Sequence, residues 1–319
     1  MKILIPGGSG QVGQLLTRAF MADGHEVIIL SRKASDSGAA KTVQWDGKSE
    51  GAWKNELEGS DVVINLAGRS VNCRYNAANR KEIMDSRVDS TRAIGNAIKN
   101  ANRPPRLWLQ ASTATIYAHR YDAPNDETTG IIGGSEANAP EKWRFSIEVA
   151  KAWEQAVNDA GTLPNTRTVL LRSAMTMSPD RGGVFDTLLG LVRLGLGGRS
   201  GDGRQFVSWI HERDFVRAIY WLIENDSMSG AFNLSAPEPL PNSEFMSVLR
   251  EAWGIPLGLP ATDWMLEIGA IFLKTETELI LKSRRVVPGR LLQNGFEFEF
   301  PSWLGAANEL RGRSRKMRK

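Results

Sequence analysis

The residues of this chain best suited to chemistry stand near its start. Gly8, Gly10 and Gly13 satisfy the spacing G-x-G-x-x-G, and Gly7, Gly10 and Gly13 satisfy G-x-x-G-x-x-G. Either spacing puts bare backbone N–H groups at a helix N-terminus, where hydrogen bonds and the helix dipole hold a pyrophosphate. The surroundings match, with an apolar run Ile3 to Pro6 before the turn and Leu15, Leu16, Ala19 and Phe20 on one helical face after it. Gly7, Gly8, Ser9, Gly10, Gln11, Val12 and Gly13 are therefore the candidate dinucleotide cradle. A second group, Ser31-Arg32-Lys33, closes the next apolar run, Glu26 to Leu30. About 20 residues beyond the glycines, an NAD-binding chain carries Asp or Glu for the ribose 2′-hydroxyl. A guanidinium instead pairs with a 2′-phosphate through a bidentate fork and Ser31 donates to it, so the pattern favours NADP(H). The plainer reading makes Arg32 and Lys33 a solvated loop pair, with Asp36 as a late acid. A third group is the hydroxyl cluster Ser112, Thr113 and Tyr117, suited to orienting a substrate carbonyl or hydroxyl for hydride transfer. Its plainer role is to satisfy backbone groups in a turn.

These groups need elements to position them. Strand signals recur at Ile3–Pro6, Glu26–Leu30, Asp61–Leu66, Leu107–Ala111 and Thr168–Arg172, with helical patterns over 11–23, 79–100 and 141–160 between them. Strands alternating with helices predict an α/β fold, a Rossmann-type doubly wound parallel sheet covered on both faces. Ligands in such sheets bind beyond the C-terminal strand ends, which puts Leu66, Ala67 and Gly68 along a cofactor and the hydroxyl cluster at the sheet mouth. After Arg172, glycine clusters and prolines mark loops between shorter elements. The expected organisation is a Rossmann domain over 1–173, a smaller C-terminal substrate lobe over 174–304 interdigitated with it, and a basic tail over 305–319. In the lobe, Arg204 and Gln205 sit in a glycine-rich loop suited to substrate contact. His211 reads as a structural cap more than a ligand, Asp214 as a helix anchor, and Trp153, Trp221 and Trp253 as core.

Composition narrows the classes. The chain has 319 residues, 41% of them hydrophobic, enough for a sizeable core. Its formal net charge is +4, but six cations lie in residues 311–319 with no acid among them, so the rest is net negative. No basic stripe with interleaved aromatics appears, and no nucleic-acid partner is expected. One cysteine, Cys73, and three histidines leave neither an intrachain disulfide nor a Cys-based zinc cluster, and no metal site is expected. With no apolar leader pattern after Met1, the expected location is cytoplasmic. The apolar stretch Trp264 to Leu281 is interrupted by Glu267, Lys274, Glu276 and Glu278 and reads as an amphipathic helix, so no membrane partner is expected.

Together, the Gly7-to-Gly13 turn, Asp61-Val-Val-Ile-Asn-Leu-Ala-Gly68 and Ser112-to-Tyr117 resemble the extended short-chain dehydrogenase/reductase superfamily. Glu82-Ile-Met-Asp-Ser-Arg87, the Gly195-to-Gln205 loop, Ser208-Trp-Ile-His-Glu-Arg-Asp214, Asn233-Leu-Ser-Ala-Pro237 and Gly295-Phe-Glu-Phe-Glu-Phe-Pro301 narrow it to the atypical, epimerase-like branch. The resemblance spans residues 1 to about 304 and belongs to the NAD-dependent epimerase/dehydratase superfamily. It implies NADP(H), with Ser31 and Arg32 at the 2′-phosphate, Leu66 and Ala67 along the cofactor, and Glu82 and Arg87 helping to hold it. It names no substrate. Superfamily members often dimerise through the two long helices, here 79–100 and 141–160, which makes a homodimer the candidate assembly, although neither pattern shows an exposed apolar face.

One departure matters. The superfamily pairs a Tyr with a Lys four residues later, the Lys lowering the Tyr pKa. Here the residues four beyond Tyr75, Tyr117, Tyr121 and Tyr220 are Asn79, Tyr121, Asn125 and Glu224. Lys151 fits the lysine place, but Ile147 occupies that of the tyrosine; alignment on Phe145 instead gives Phe145 and Val149. Two main readings follow. The chain is an NADP(H)-dependent oxidoreductase or epimerase on a small carbonyl, alcohol or sugar-like substrate, with Tyr117 as acid, Thr113 as its hydrogen-bonding partner and Lys151 on the nicotinamide ribose. Alternatively it binds NADPH without turnover, as a sensor or partner-binding protein. A third reading, an isomerase or lyase using Glu148, Asp122 or His211, has no specific support in the spacing.

Overall fold

Apolar β-branched runs bounded by turn residues build the sheet. In the computed structural model, which describes residues 1–33, 40–136, 140–262, 264–267 and 276–316, the first half alternates strictly. It runs β1 (Lys2–Pro6), α1 (Gln11–Ala22), β2 (Glu26–Ser31), β3 (Lys41–Gln44), α2 (Lys54–Leu57), β4 (Val62–Asn65), α3 (Ala77–Lys99), β5 (Leu107–Thr113), a 3₁₀ turn (Ala114–Ile116), α4 (Glu141–Asn158) and β6 (Arg167–Ser173). The second half carries β7 (Met175–Met177), α5 (Val184–Arg193), β8 (Phe206–Val207), β9 (Trp209–His211), α6 (Glu212–Glu224), β10 (Gly230–Leu234), β11 (Leu240–Pro241), α7 (Asn242–Trp253), α8 (Glu278–Leu281), α9 (Gly289–Gln293) and α10 (Trp303–Lys316).

Seven strands form one parallel sheet in the order β10-β6-β5-β4-β1-β2-β3. Strand order reverses between β1 and β4, which opens the crevice where such sheets bind ligands. Alternate residues of each strand face opposite layers. Ile3, Ile5, Val27, Ile29, Val62 and Ile64 pack with Leu16 and Phe20 of α1 and with Phe215, Ile219 and Leu222 of α6. Leu4, Ile28, Val63 and Trp108 face Ile94 and Ile98 of α3 and Val157 of α4. Gly95 permits close approach of α3 to the segment just after α4, since a Cβ there would lie 2.9 Å from Ala160 Cβ.

Two strands of the seven-stranded sheet, and the four short strands of the lobe, escaped the sequence reading. β3 is a four-residue edge strand, half-buried and mostly polar, and β10 lies in the region read as loops. Because β10 pairs with β6, and α6 packs on the β1 face, the C-terminal half completes the sheet as well as forming a lobe. That lobe has its own core, with Phe185, Leu189, Phe245, Leu249, Trp209 and Trp303 in contact. The expected basic tail is corrected through residue 316: α10 buries Ala306, Ala307 and Leu310 against the lobe, an apolar face hidden among its cations. Arg318 and Lys319, like Asp36 and Lys274, lie outside the described residues, as do residues 268–275 of the amphipathic helix expected over Trp264 to Leu281. No helix among the described residues is long and apolar enough to cross a membrane.

Candidate cofactor cradle and sheet mouth

The glycine turn is built around close backbone approach. Gly7 has φ +77°, and a Cβ there would come within 2.7 Å of the Ala67 backbone. At Gly13 a Cβ would lie 2.4 Å from Gly8 Cα. These glycines let α1 start directly on β1 and let the loop after β4 lie against the turn. Gly10 is different. It caps α1 in extended conformation with no side-chain cap, and the nearest atom to a Cβ there would be Gly7 O at 3.5 Å. Protein packing therefore does not explain Gly10; the space beside it is open at an uncapped helix N-terminus. Next to it, Gln11 Nε2 is closed from solvent and has no hydrogen-bond partner. An anion over Gly10 would satisfy the uncapped N-terminus of α1, so the residues present fit a dinucleotide diphosphate. Val12 is half-buried and packs on the core below.

The end of β2 brings the expected adenosine-side group together. Ser31 Oγ donates to Ser9 Oγ at 3.2 Å, joining the glycine turn to the strand end, and Arg32 and Lys33 are exposed beside it. No carboxylate among the described residues pairs with Arg32, whose guanidinium suits a bidentate fork on a phosphate. After β4, Ala67 N–H donates to Asn65 Oδ1 at 3.1 Å, and Leu66 N–H to Pro6 O at 2.8 Å. Arg87 lies under Gly68, where a Cβ would be 3.3 Å from its side chain, and its Nη1 donates to Arg69 O and Ile83 O. Burial depresses the Arg87 pKa to about 10, and the guanidinium stacks over Trp153 at 4.9 Å. Thus Arg87 braces the loop that borders the cradle. Glu82 is exposed and pairs with Arg69.

At the mouth of the sheet the expected trio does not converge. Thr113 ends β5 half-buried, its Oγ1 accepting from Thr115 N at 3.1 Å. Ser112 Oγ donates to Glu154 Oε1 at 2.6 Å, which accounts for its burial. Tyr117 is corrected as a pocket acid. Its ring is 2% exposed, its hydroxyl donates to Asn233 Oδ1 at 3.0 Å, and it accepts from Arg172 Nη1 at 2.9 Å. Desolvation raises its pKa, although Arg172 opposes the shift. Arg172 in turn forks onto Glu154, with Nε and Nη2 each 2.8 Å from a carboxylate oxygen. Lys151 is exposed on α4, with Nζ against Gly134, while the adjacent Ala150 faces the 3₁₀ turn and Tyr117. Ile147 is buried.

In the lobe, His211 is the N-cap of α6. Its Nδ1 accepts from Arg213 N at 3.1 Å, and its Nε2 donates to Glu309 Oε2 at 2.9 Å. Burial pushes its pKa down to about 3, and protonation of Nδ1 would forfeit the cap. Asp214 anchors the Gly-Phe-Glu-Phe segment by accepting from Glu299 N and Phe300 N. Gln205 is buried, with Nε2 donating to Ser200 O and Ile280 O, whereas Arg204 is exposed above the Tyr121 ring.

One polar cluster has no sequence counterpart. Lys282, 1% exposed, donates from Nζ to Thr115 O at 2.7 Å, and Arg284 Nε donates to Thr115 Oγ1 at 3.0 Å. Ser146 donates to Glu278 Oε2 at 2.6 Å, and Ser283 N to His119 Nδ1 at 2.9 Å. Burial brings the Lys282 ammonium down to about 7, with Arg284 adding to the shift and Glu278 opposing it. These residues tie residues 278–284 onto the segment after β5; a buried lysine in a polar stretch carries no local signal in sequence. No group of metal-ligating side chains occurs among the described residues.

Comparison with known proteins agrees with this architecture. Residues 3–235 match the family model described as NAD dependent epimerase/dehydratase family, and residues 261–310 match a domain of unknown function (DUF1731). The chain is 32% identical over 311 residues to the epimerase family protein SDR39U1 of Bos taurus, covering 96% of this chain and 98% of the relative. An epimerase family protein of Staphylococcus epidermidis is 30% identical, with 97% and 98% covered. The crystal structure of human SDR39U1 (isoform 2) with NADPH superposes with a TM-score of 0.83 at 30% identity, over 98% of this chain and 99% of that one. With the glycine cradle, the seven-stranded parallel sheet and full-length likeness in agreement, this chain belongs to the NAD dependent epimerase/dehydratase family.

Proposed function

We propose that the chain binds NADP(H) and acts as an epimerase-like oxidoreductase on a small carbonyl, alcohol or sugar-like substrate. The observation that carries the cofactor reading is Gly10, a glycine that leaves open space at an uncapped helix N-terminus beside the buried, unpartnered Gln11 amide. Arg32 and Ser31, joined to the cradle through Ser9, support NADP(H) over NAD. The NADPH in the human relative's structure supports the same choice. When bound, the cofactor supplies a hydride donor or acceptor. The chain's own residues hold the diphosphate, select the 2′-phosphate and border the pocket. Thr113, at the C-terminal end of β5, is the hydroxyl best placed to orient a substrate oxygen.

A second reading, NADPH binding without turnover, draws on a specific observation: Tyr117 is enclosed in a hydrogen-bonded network, so it does not supply a pocket acid. Titration with NADPH and NADH, for the native chain and Arg32→Glu, tests the cofactor claim. The substitution is expected to weaken NADPH by about 1–3 kcal/mol more than NADH; equal weakening removes the 2′-phosphate assignment. Loss of nicotinamide absorbance across ketones, aldehydes and nucleotide sugars separates turnover from binding alone.

A further inference from the structure

The face of α4 turned to the end of β5 is marked by Ala150, which packs with Ala114, Ile116 and Tyr117. One helical turn earlier on that face stands Ser146, half-buried. Its hydroxyl donates to Glu278 Oε2 at 2.6 Å, and Glu278, at the start of α8, is wholly buried. The other carboxylate oxygen accepts from Arg284 Nη2 at 3.1 Å, while Arg284 Nε donates to Thr115 Oγ1 and Thr115 N donates to Thr113 Oγ1. A continuous line of hydrogen bonds therefore joins Ser146 on α4 to Thr113 on β5 through a carboxylate brought in by the C-terminal half. Tyr75, from the loop after β4, closes the group: burial, with Glu278 adding to it, pushes its phenol up to about 12 against a Ser146 hydrogen bond and Arg284. Ser146, Thr113 and Arg284 keep part of their surface open, whereas Glu278 has none. The arrangement is an accessible hydroxyl backed by a closed carboxylate, at the strand end where such sheets carry their chemistry.

We propose that Ser146 is a catalytic hydroxyl and Glu278 the positioning carboxylate that exchanges a proton with it, a relay in place of a tyrosine–lysine pair. The inference rests on the oxidoreductase reading above. With its one donor on Glu278, the serine oxygen has a lone pair left for a substrate proton. In the oxidising direction the substrate O–H gives its proton to Ser146 Oγ as Ser146 gives its own to Glu278 Oε2. The carbon-bound hydrogen leaves with its electron pair to the oxidised nicotinamide, so the alcohol becomes a carbonyl and the carboxylate a neutral acid. Reduction runs the same path in reverse. Arg284, Lys282 and the Tyr75 phenol are the titratable groups that face the carboxylate.

The test places a thiol at the serine position: Ser146→Cys in a Cys73→Ser background, alkylated with iodoacetamide across pH with and without NADPH. The thiol is expected to react in the folded chain, and saturating NADPH should slow it at least about tenfold. Beside a carboxylate it should titrate above the ordinary value of about 8.5, and Glu278→Gln should bring it down by about one pH unit. Where a ketone, aldehyde or nucleotide sugar is turned over, Ser146→Ala should lower kcat about 100-fold or more with NADPH affinity unchanged, and Ser146→Thr should restore it. A thiol that is not labelled in the folded chain, or is labelled equally with NADPH bound, overturns the assignment, as does full turnover by Ser146→Ala. A labelling profile unmoved by Glu278→Gln removes the relay; if that variant does not fold, the Ser146 variants decide. Absence of NADPH binding by the unaltered chain overturns the underlying reading instead, and the pH profile of labelling still reports the pairing of positions 146 and 278.

Discussion

The β1–α1 turn and the end of β5 lie along the same margin of one parallel sheet, yet they are made of different material. The turn is backbone: glycines press it against β4 and α1, and at Gly10 and Gln11 it leaves space and a donor that the protein does not use. The end of β5 is side chain. Ser112, Glu154, Arg172 and Asn233 come from four elements and Tyr117 from the loop after the 3₁₀ turn; they satisfy one another, and Glu127 extends the chain by accepting from Asn233 N at 2.7 Å and Arg290 N at 3.1 Å. A region with unused capacity is prepared for a ligand; one whose polar groups are all spent holds the fold. The hydroxyls that looked catalytic in sequence are, apart from Thr113, part of that internal network.

The largest effect expected from this contrast is at Glu154. The Glu154–Arg172 pair is bidentate and nearly buried, with side-chain exposures of 11% and 12%. Glu154→Ala leaves the guanidinium without its anion and should lower stability by about 3–5 kcal/mol. Where the variant remains folded, NADPH affinity should stay within about twofold, because nothing in the cradle depends on the pair. Thermal unfolding and titration on one sample give both numbers. A large loss of affinity with little loss of stability would move the site from the turn to β5.

Lys282 sharpens the same contrast with an opposite sign. Its ammonium is buried against Thr115 O, and burial lowers its pKa from 10.5 to about 7. The unfolded chain therefore holds a proton that the native chain has lost between pH 7 and about 10.5, so this group adds stability as pH rises through that window and carries its full burial penalty below it. Lys282→Met should stabilise the chain by about 1–3 kcal/mol at pH 6, the lost hydrogen bond offsetting part of the gain. The advantage should shrink as pH is raised toward 9. Melting curves of both proteins across that range check it, and a constant difference would show that the amine is not held at a depressed pKa.

Tyr117→Phe tests the network more gently. It removes one hydroxyl and leaves Arg172 Nη1 and Asn233 Oδ1 short of a partner inside the fold, for a cost of about 1–2 kcal/mol by denaturant unfolding. NADPH affinity should be unchanged, and any turnover found should survive. Loss of turnover at full stability would restore the phenol as the acid.

The contrast also marks what sequence could show. The cradle is contiguous, 7–13 with 31–32, so residue types at fixed spacing carry nearly all of it, and the strand–turn–helix order supplies the fold. The β5 network joins residues more than 100 positions apart, such as Tyr117 and Asn233, and no local pattern says that a hydroxyl is already spent. Position 151 illustrates the same limit: Lys151 fits the place of the family's lysine, but spacing does not say that helical phase packs the adjacent Ala150 against Tyr117 and leaves Lys151 exposed. β3 and β10 escaped because short strands with polar or glycine-containing sequences lack alternation, and α10 because its buried Ala306, Ala307 and Leu310 run straight into the cation-rich stretch from Arg311.

The smallest effect on stability, and the most discriminating, belongs to Gly10→Ala. Its φ of −75° and ψ of 168° suit any residue, and a methyl there would meet only Gly7 O at 3.5 Å. Alanine is a poorer N-cap than glycine, but it also narrows the unfolded ensemble, and the two effects oppose each other, so stability should change by less than about 0.5 kcal/mol. The methyl nevertheless occupies the space reserved for the diphosphate, and NADPH affinity should fall at least about tenfold, or 1.4 kcal/mol. Gly13 has the reverse cause, since a Cβ there strikes Gly8 itself and disturbs the empty protein. If Gly10→Ala binds NADPH as the native chain does, the open space at α1 is not where the cofactor lies, and the distinction between a prepared turn and a spent strand end fails at its stronger side.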